Sequence, residues 1–480
     1  MKGLRVAILS SEAVPFAKTG GLGDVAGALP KALKRTGEVD AALILPLYEQ
    51  TKRELVGKLL FDNLEVEWTG GNQYVRVWLN EETVNAPAFL IESQEYFSRP
   101  SVYGYRDDHT RFAFFSRAAL ALLKRLGTPP DIVHGNDWPS GFAVAELRAR
   151  RAYDDFYRGT RSLFSIHNLA YQGAFDPHDL GYLGFGWGDV HDAFLLEGAA
   201  SALKAGLMLS DALSTVSRRY AYEIQTSAQG YGLDWLLRMR RDRLIGVTNG
   251  VDYDAWNPAT DPHIAARFSA DDLAGKRACK RDLLSRFHLP EELDRPVIAI
   301  ISRLVAQKGY DLIREAAPAI LETGAFFIAL GAGAQEYEDF LQSFRDHAPH
   351  RVGIYKGYAG EPLAHQIEAG ADIFLMPSLY EPCGLNQMYS MRYGTVPVVR
   401  ATGGLDDTVE NFDRARGTGN GFKFGEYTAR AMLGSIYEAL FAYADKDVWR
   451  RIQLNGMRED NSWDAAARRY VEVYRAVARM

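Results

Sequence analysis

The sequence predicts two α/β domains, each a mostly parallel sheet covered by helices, and three observations carry that reading. The chain has 480 residues, more than one ordinary core accommodates. Short β-branched runs alternate with longer amphipathic stretches, as in strands joined by crossover helices. The alternation also runs twice, with a turn-rich, proline-bearing segment between the two series.

The first series is "RVAILSS", "AALILPLY", "DIVHGND", "RSLFSIHN" and "ALSTVS". A glycine loop follows the first strand and leads into "DVAGALPKALKRTG", a helical pattern. The segment "NGVDYDAWNPATDP" from Asn249 reads as the interdomain linker. The second series is "PVIAIISRL", "FFIALGAG", "VGIYKGY", "ADIFLMPS" and "VPVVRATGG". The closing "SWDAAARRYVEVYRAVARM" has the spacing of a helix with one buried face, expected to return to the first domain. The expected limits are 1–250 for the first domain, 251–457 for the second and 458–480 for the returning helix.

A formal net charge of −6 leaves no overall positive field for nucleic acid or an anionic membrane, so any anionic ligand must be met by local cations. Two cysteines, Cys279 and Cys383, are too few for a disulfide framework or a cysteine-rich metal site. The opening "MKGLRVAILSSE" runs directly into the predicted fold, and no apolar stretch reaches the ~20 residues of a membrane helix. The expected location is cytoplasmic.

Four groups of residues stand at strand ends, where open α/β sheets bind ligands. "KTGGLGDV" places Lys18 before Gly20 and Gly21, which let a ligand approach the backbone near a helix start. It matches neither a P-loop nor the GxGxxG pattern, so it is either an anion site of another kind or a glycine turn with a solvated lysine. "ISRLVAQKG" puts Arg303 and Lys308 in one loop, suited to a diphosphate or to ordinary exposure. "PSLYEPCGLNQMYSMRYG" carries Glu381, which could accept sugar hydroxyls or complement a helix start, ahead of Gly384 and Leu385. Cys383 reads as a small buried residue. "HGNDW" and "SIHN" offer His134, Asp137, His167 and Asn168. No HExxH or similar spacing occurs, so no metal is expected.

Together, "KTGGLGDV", "HGNDW", "SIHNLAYQG", "TNGVDYDAWNP", "SRLVAQKG", "EPCGLNQMYSMRYGTVPVV" and "ATGGLDDTV" resemble the bacterial glycogen synthases and plant starch synthases, glycosyltransferase family five. The resemblance spans essentially the whole chain in order. It implies the GT-B fold, with two Rossmann-like domains facing across a deep cleft and the last helix crossing back to the first domain. It also implies transfer of glucose from a nucleotide diphosphate sugar, in bacteria usually ADP-glucose, to the nonreducing 4-hydroxyl of an α-1,4-glucan. Configuration is retained, with no metal and no cofactor beyond the donor substrate.

On that resemblance Lys18 reaches the donor phosphates, with Gly20 and Gly21 allowing close approach, and Arg303 with Lys308 clamps the diphosphate. His167 lies beside the transferred glucose; Asp137 and Asn168 belong to the acceptor side. Glu381 binds glucosyl hydroxyls in a pocket shared with Cys383, Gly384 and Leu385. Tyr358 stacks on adenine, and Thr408 lies near ribose and phosphates. The chain departs from many bacterial members at Asn136 and Pro139, where they carry histidine, and Tyr389 replaces the second glutamate of the wider retaining pattern. The "GLNQMY" wording leans toward the plant form. The competing readings are a UDP-glucose-using synthase, a glucan phosphorylase, which would hold pyridoxal phosphate, and an inactive glucan-binding protein. The oligomeric state is not legible in the sequence.

Overall fold

The structure is a computed structural model that describes residues 3–186, 188–357 and 360–480. The chain divides into two compact units, Met1–Gly250 with Trp463–Met480, and Val251–Ser462. Residues 458–462, expected to begin the returning segment, thus belong to the second unit, and the last helix is Trp463–Val477.

The first unit contains β1 (Leu4–Leu9), β2 (Val39–Pro46), β3 (Lys58–Val66), β4 (Gln73–Asn80), β5 (Ala88–Glu92), β6 (Ile132–Asn136) and β7 (Arg161–Ile166). A short antiparallel sheet follows, β8 (Ala174–Phe175), β9 (Leu195–Leu196) and β10 (Ala199–Ser201), then β11 (Ala212–Thr215) and β12 (Leu244–Gly246). The main sheet has nine strands in the order β12-β11-β7-β6-β1-β2-β5-β4-β3. It is parallel except where β4 pairs antiparallel with β3 and β5. The five strands read from the sequence are β1, β2, β6, β7 and β11. Of the strands it missed, β3, β4 and β12 are partly exposed, polar-interrupted or very short, so they lack a continuous apolar run, whereas β5 is a buried apolar run of only four residues before Glu92, too short to separate from its surroundings by pattern.

Helix Gly21–Thr36 forms because Leu22, Val25, Ala26, Leu29, Ala32 and Leu33 recur every three or four residues and are all buried. It ends at Gly37, whose left-handed φ of 71° suits glycine and whose N–H caps the Lys34 carbonyl. The last helix contacts it and buries Trp463, Ala467, Tyr470, Tyr474 and Val477 in the same core. Each such fully buried large apolar side chain contributes roughly 1.5–3 kcal/mol of transfer free energy.

Among the described residues the second unit has six strands, β13 (Val297–Ile301), β14 (Phe326–Gly331), β15 (Val352–Lys356), β16 (Ile373–Met376), β17 (Val396–Arg400) and β18 (Phe422–Phe424). All are parallel, in the order β15-β14-β13-β16-β17-β18. The turn-rich segment after Asn249 is not a free linker. The Trp256 ring stacks on His365 at 3.8 Å and on Tyr389 at 3.9 Å. Buried Asp261 meets His365 Nδ1 at 2.7 Å and accepts the Tyr393 hydroxyl. Proline and asparagine marked turns correctly, but the aromatic and the acid between them anchor this segment within the second unit.

Both sheets reverse strand order near their centre. In the first unit β1 lies between β2 and β6, and in the second β13 lies between β14 and β16. In open α/β sheets the carboxyl edge at such a reversal is where ligands bind.

Candidate functional site

In the first unit, the loops after β1, β6 and β7 hold the predicted residues. Asp137 follows β6 with a φ of 54°, rare for a residue with a side chain and worth about 1–3 kcal/mol of strain. Its Oδ1 accepts the His167 N–H at 2.7 Å and the Asn168 N–H at 3.4 Å, tying the ends of β6 and β7 together. Burial pushes the Asp137 carboxyl up to about 7, against the pull of those two N–H groups and with a smaller upward push from the Glu12 charge.

His167 is buried, and its Nε2 lies 2.9 Å from Asn136 Oδ1. The Asn136 amide is oriented by donating to the Leu9 carbonyl at 3.0 Å, so its oxygen receives the imidazole N–H. Burial holds the imidazole down to about 4, so it is neutral at pH 7 and acts as a hydrogen-bonding group rather than a cation.

His134 is placed differently from the expectation that it faces a ligand. It is fully buried, with Nδ1 2.9 Å from the Tyr474 hydroxyl and Nε2 2.6 Å from Ser165 Oγ, and burial lowers it to about 3. Its role is to join β6 to the last helix.

Lys18 is half-exposed and pairs with Asp24 at 2.7 Å. Gly20 caps helix Gly21–Thr36, three residues earlier than the pattern predicted. The Gly20 N–H donates to Glu12 Oε2 at 2.9 Å and the Thr19 N–H donates to the same oxygen, so these two amides hold an internal carboxylate. A Cβ at Gly21 would meet nothing within 4 Å.

In the second unit, Arg303 and Lys308 lie in the loop after β13, and Glu381, Cys383, Gly384 and Leu385 in the loop after β16. Arg303 is exposed, and its guanidinium has no ion pair among the described residues. Lys308 Nζ lies 2.5 Å from Glu381 Oε2, which also accepts the Ser378 hydroxyl at 3.1 Å. An ammonium has three N–H donors, so Lys308 can keep Glu381 and still reach a phosphate oxygen. Cys383 is buried. Gly384 has a left-handed φ of 72°, and a Cβ there would come within 2.6 Å of Gln387 Oε1.

Gln387, fully buried, donates to the Gly384 carbonyl at 3.0 Å and to Thr408 Oγ1 at 3.1 Å. It joins the Glu381 loop to the second glycine motif. Tyr358 lies outside the described residues. Tyr389, where the wider pattern has glutamate, is engaged in the Trp256 stack.

Sequence reasoning missed Glu12, Gln387 and the use of Asn136 as a brace for His167. Glu12 stood in view in "RVAILSSE", but nothing in its spacing ties it to the Thr19 and Gly20 amides seven and eight residues on. Among the described residues no group of three or more His, Cys, Asp or Glu is placed to hold a metal ion. No described helix is long and apolar enough to cross a membrane.

Residues 5–239 match the starch synthase catalytic domain, and residues 283–443 match glycosyl transferases group 1. Glycogen synthase 1 of Geobacter metallireducens is 44% identical over 99% of this chain and 96% of its own length. Glycogen synthase of Koribacter versatilis is 44% identical over 98% of each chain. The catalytic domain of starch synthase IV from Arabidopsis thaliana, solved with ADP and acarbose, superposes with a TM-score of 0.91 at 36% identity over 100% of both chains. Two Rossmann-like units, a last helix returned to the first, and full-length likeness in sequence and fold place this chain in the glycogen and starch synthase family of GT-B glycosyltransferases.

Proposed function

We propose that the chain transfers glucose from ADP-glucose to the nonreducing 4-hydroxyl of an α-1,4-glucan with retention of configuration. The observation that carries this is the full-length identity to glycogen synthases, at 44%. The ADP of the starch synthase IV structure supports the choice of nucleotide.

In this reading Arg303 and Lys308 bind the donor diphosphate and neutralise the charge that grows on departing ADP. Glu381, pinned by Lys308 and Ser378, accepts hydroxyls of the transferred glucose beside Cys383, Gly384 and Leu385. Thr408 and Tyr358 serve the nucleoside. Lys18, with Gly20 and Gly21, supplies further donor-phosphate contacts from the first unit. Neutral His167 hydrogen-bonds the glucosyl group near its reacting carbon, and Asp137 with Asn168 serves the acceptor. ADP leaves as the acceptor hydroxyl attacks the same face of the sugar, with water kept from the donor.

The test is glucose incorporation into glycogen with ADP-glucose and UDP-glucose supplied side by side. Faster incorporation from ADP-glucose, with ADP released in step, is the expected result. A preference for UDP-glucose would replace the donor assignment, and no incorporation from either would end the proposal.

A further inference from the structure

The glycine motif begins at Lys18, yet the group that holds its backbone lies six residues earlier. Glu12 is 3% exposed. Its Oε2 accepts the N–H groups of Thr19 and Gly20, the latter at 2.9 Å, and its Oε1 accepts the Tyr103 hydroxyl at 3.2 Å. No cation pairs with this carboxylate among the described residues. A carboxylate out of water without a cation needs hydrogen bonds to its charged form, and two of the three it receives come from the glycine loop.

The holder is itself fixed. The Ser10 hydroxyl donates to the Glu12 carbonyl at 2.6 Å, and the Tyr103 and Ser11 hydroxyls lie 2.7 Å apart. A Cβ on Gly23 would approach Glu12 Oε2 to 3.2 Å and Lys18 Cγ to 3.3 Å, so the first helical turn, the carboxylate and the lysine stem lie in direct contact. The carboxylate therefore dictates where Thr19 and Gly20 sit, and through them the stem of Lys18. The same loop leaves Gly21 facing open space on its other side.

We infer that Glu12 is a positioning residue for the donor: by clamping the Thr19 and Gly20 amides it sets the Lys18–Gly21 segment in the conformation that receives the diphosphate. This rests on the ADP-glucose reading above. Glu12 touches neither substrate in this account; it acts through the loop.

The test compares Glu12→Gln, which keeps one acceptor oxygen but loses the charge, with Glu12→Asp, whose carboxylate falls one methylene short, and Glu12→Ala. KM for ADP-glucose and the Kd for ADP should rise about ten- to a hundredfold in the Ala and Asp variants, as expected for losing hydrogen bonds to a charged group. The Gln variant should fall between these and wild type, while KM for glycogen stays within about twofold in all three. A merely structural role would lower Tm without separating the two KM values. ADP-glucose KM and ADP Kd unchanged in both Glu12→Gln and Glu12→Ala would overturn the inference. So would a parallel rise of both KM values, or failure of Glu12→Gln to fold. If the wild type transferred no glucose the functional reading would fail instead, and ADP affinity across the same variants would still decide the role of Glu12.

Discussion

Thr19–Leu22 and Thr402–Leu405 spell the same four residues, and each opens a helix at the carboxyl edge of a sheet. Their surroundings are opposite. At the first, a Cβ on Gly21 would meet nothing within 4 Å, and one on Gly20 only Glu12 Oε1 at 3.9 Å. At the second, a Cβ on Gly403 would fall 1.8 Å from the Glu381 carbonyl oxygen and one on Gly404 2.1 Å from that of Cys383. The Gly404 N–H donates to the carbonyls of Glu381 and Pro382 at 3.2 and 3.1 Å. The first pair leaves room for a ligand, whereas the second leaves room for the protein's own backbone and so shapes the Glu381 loop. A glycine pair in a sequence reports close approach by something, not what approaches.

The largest expected effect of breaking this contrast is at Gly403. Alanine there combines backbone overlap with a φ of 46°, and should destabilise the second unit by about 4 kcal/mol or more. Urea unfolding is the measurement; a midpoint equal to wild type would refute the close approach. Lys308→Ala should come next, lowering kcat by on the order of 10²–10³ while leaving KM for glycogen nearly unchanged. Steady-state kinetics would exclude the charge-neutralising role if turnover were preserved.

On the open edge of the first unit, Asp137 gives a pH signature. Its folded-state pKa of about 7 lies above the unfolded value near 4, so the folded chain keeps a proton that the unfolded chain releases. That contribution to stability is present below about pH 4 and is lost as pH rises to about 7. Asp137→Asn, which keeps an acceptor oxygen and cannot ionise, should therefore gain in Tm relative to wild type between pH 5 and pH 8. A difference independent of pH would mean that Asp137 is already ionised at pH 5.

The smallest effect is expected at Gly21. Alanine there meets no atom, so stability should stay within about 0.5 kcal/mol while KM for ADP-glucose rises severalfold. A large loss of stability, read by the same urea titration, would erase the distinction between the two glycine pairs.

Much of the candidate site was legible because ligand-facing groups in α/β folds stand at strand ends, and the apolar runs marked those ends. Asp137, His167, Arg303, Lys308 and Glu381 all follow strands that the sequence had located. The same rule over-reached at His134. It occupies β6 rather than the loop beyond it, and the helix Trp463–Val477 covers it with Tyr474. Glu12 and Gln387 escaped notice because each acts on backbone groups or small residues elsewhere, and such partners leave no spacing to read.

The chain by itself determined that two mostly parallel sheets form, which strands end in polar loops, and which family's motifs those loops carry. These are local properties of apolar period, turn chemistry and residue type. Only the tertiary structure decided which glycine pair faces open space, which histidine is walled in, and which carboxylate holds the Lys18 loop. Such facts depend on what lies across a few ångströms of space, and residues such as His134 and Tyr474, 340 positions apart, become neighbours only when the chain closes on itself.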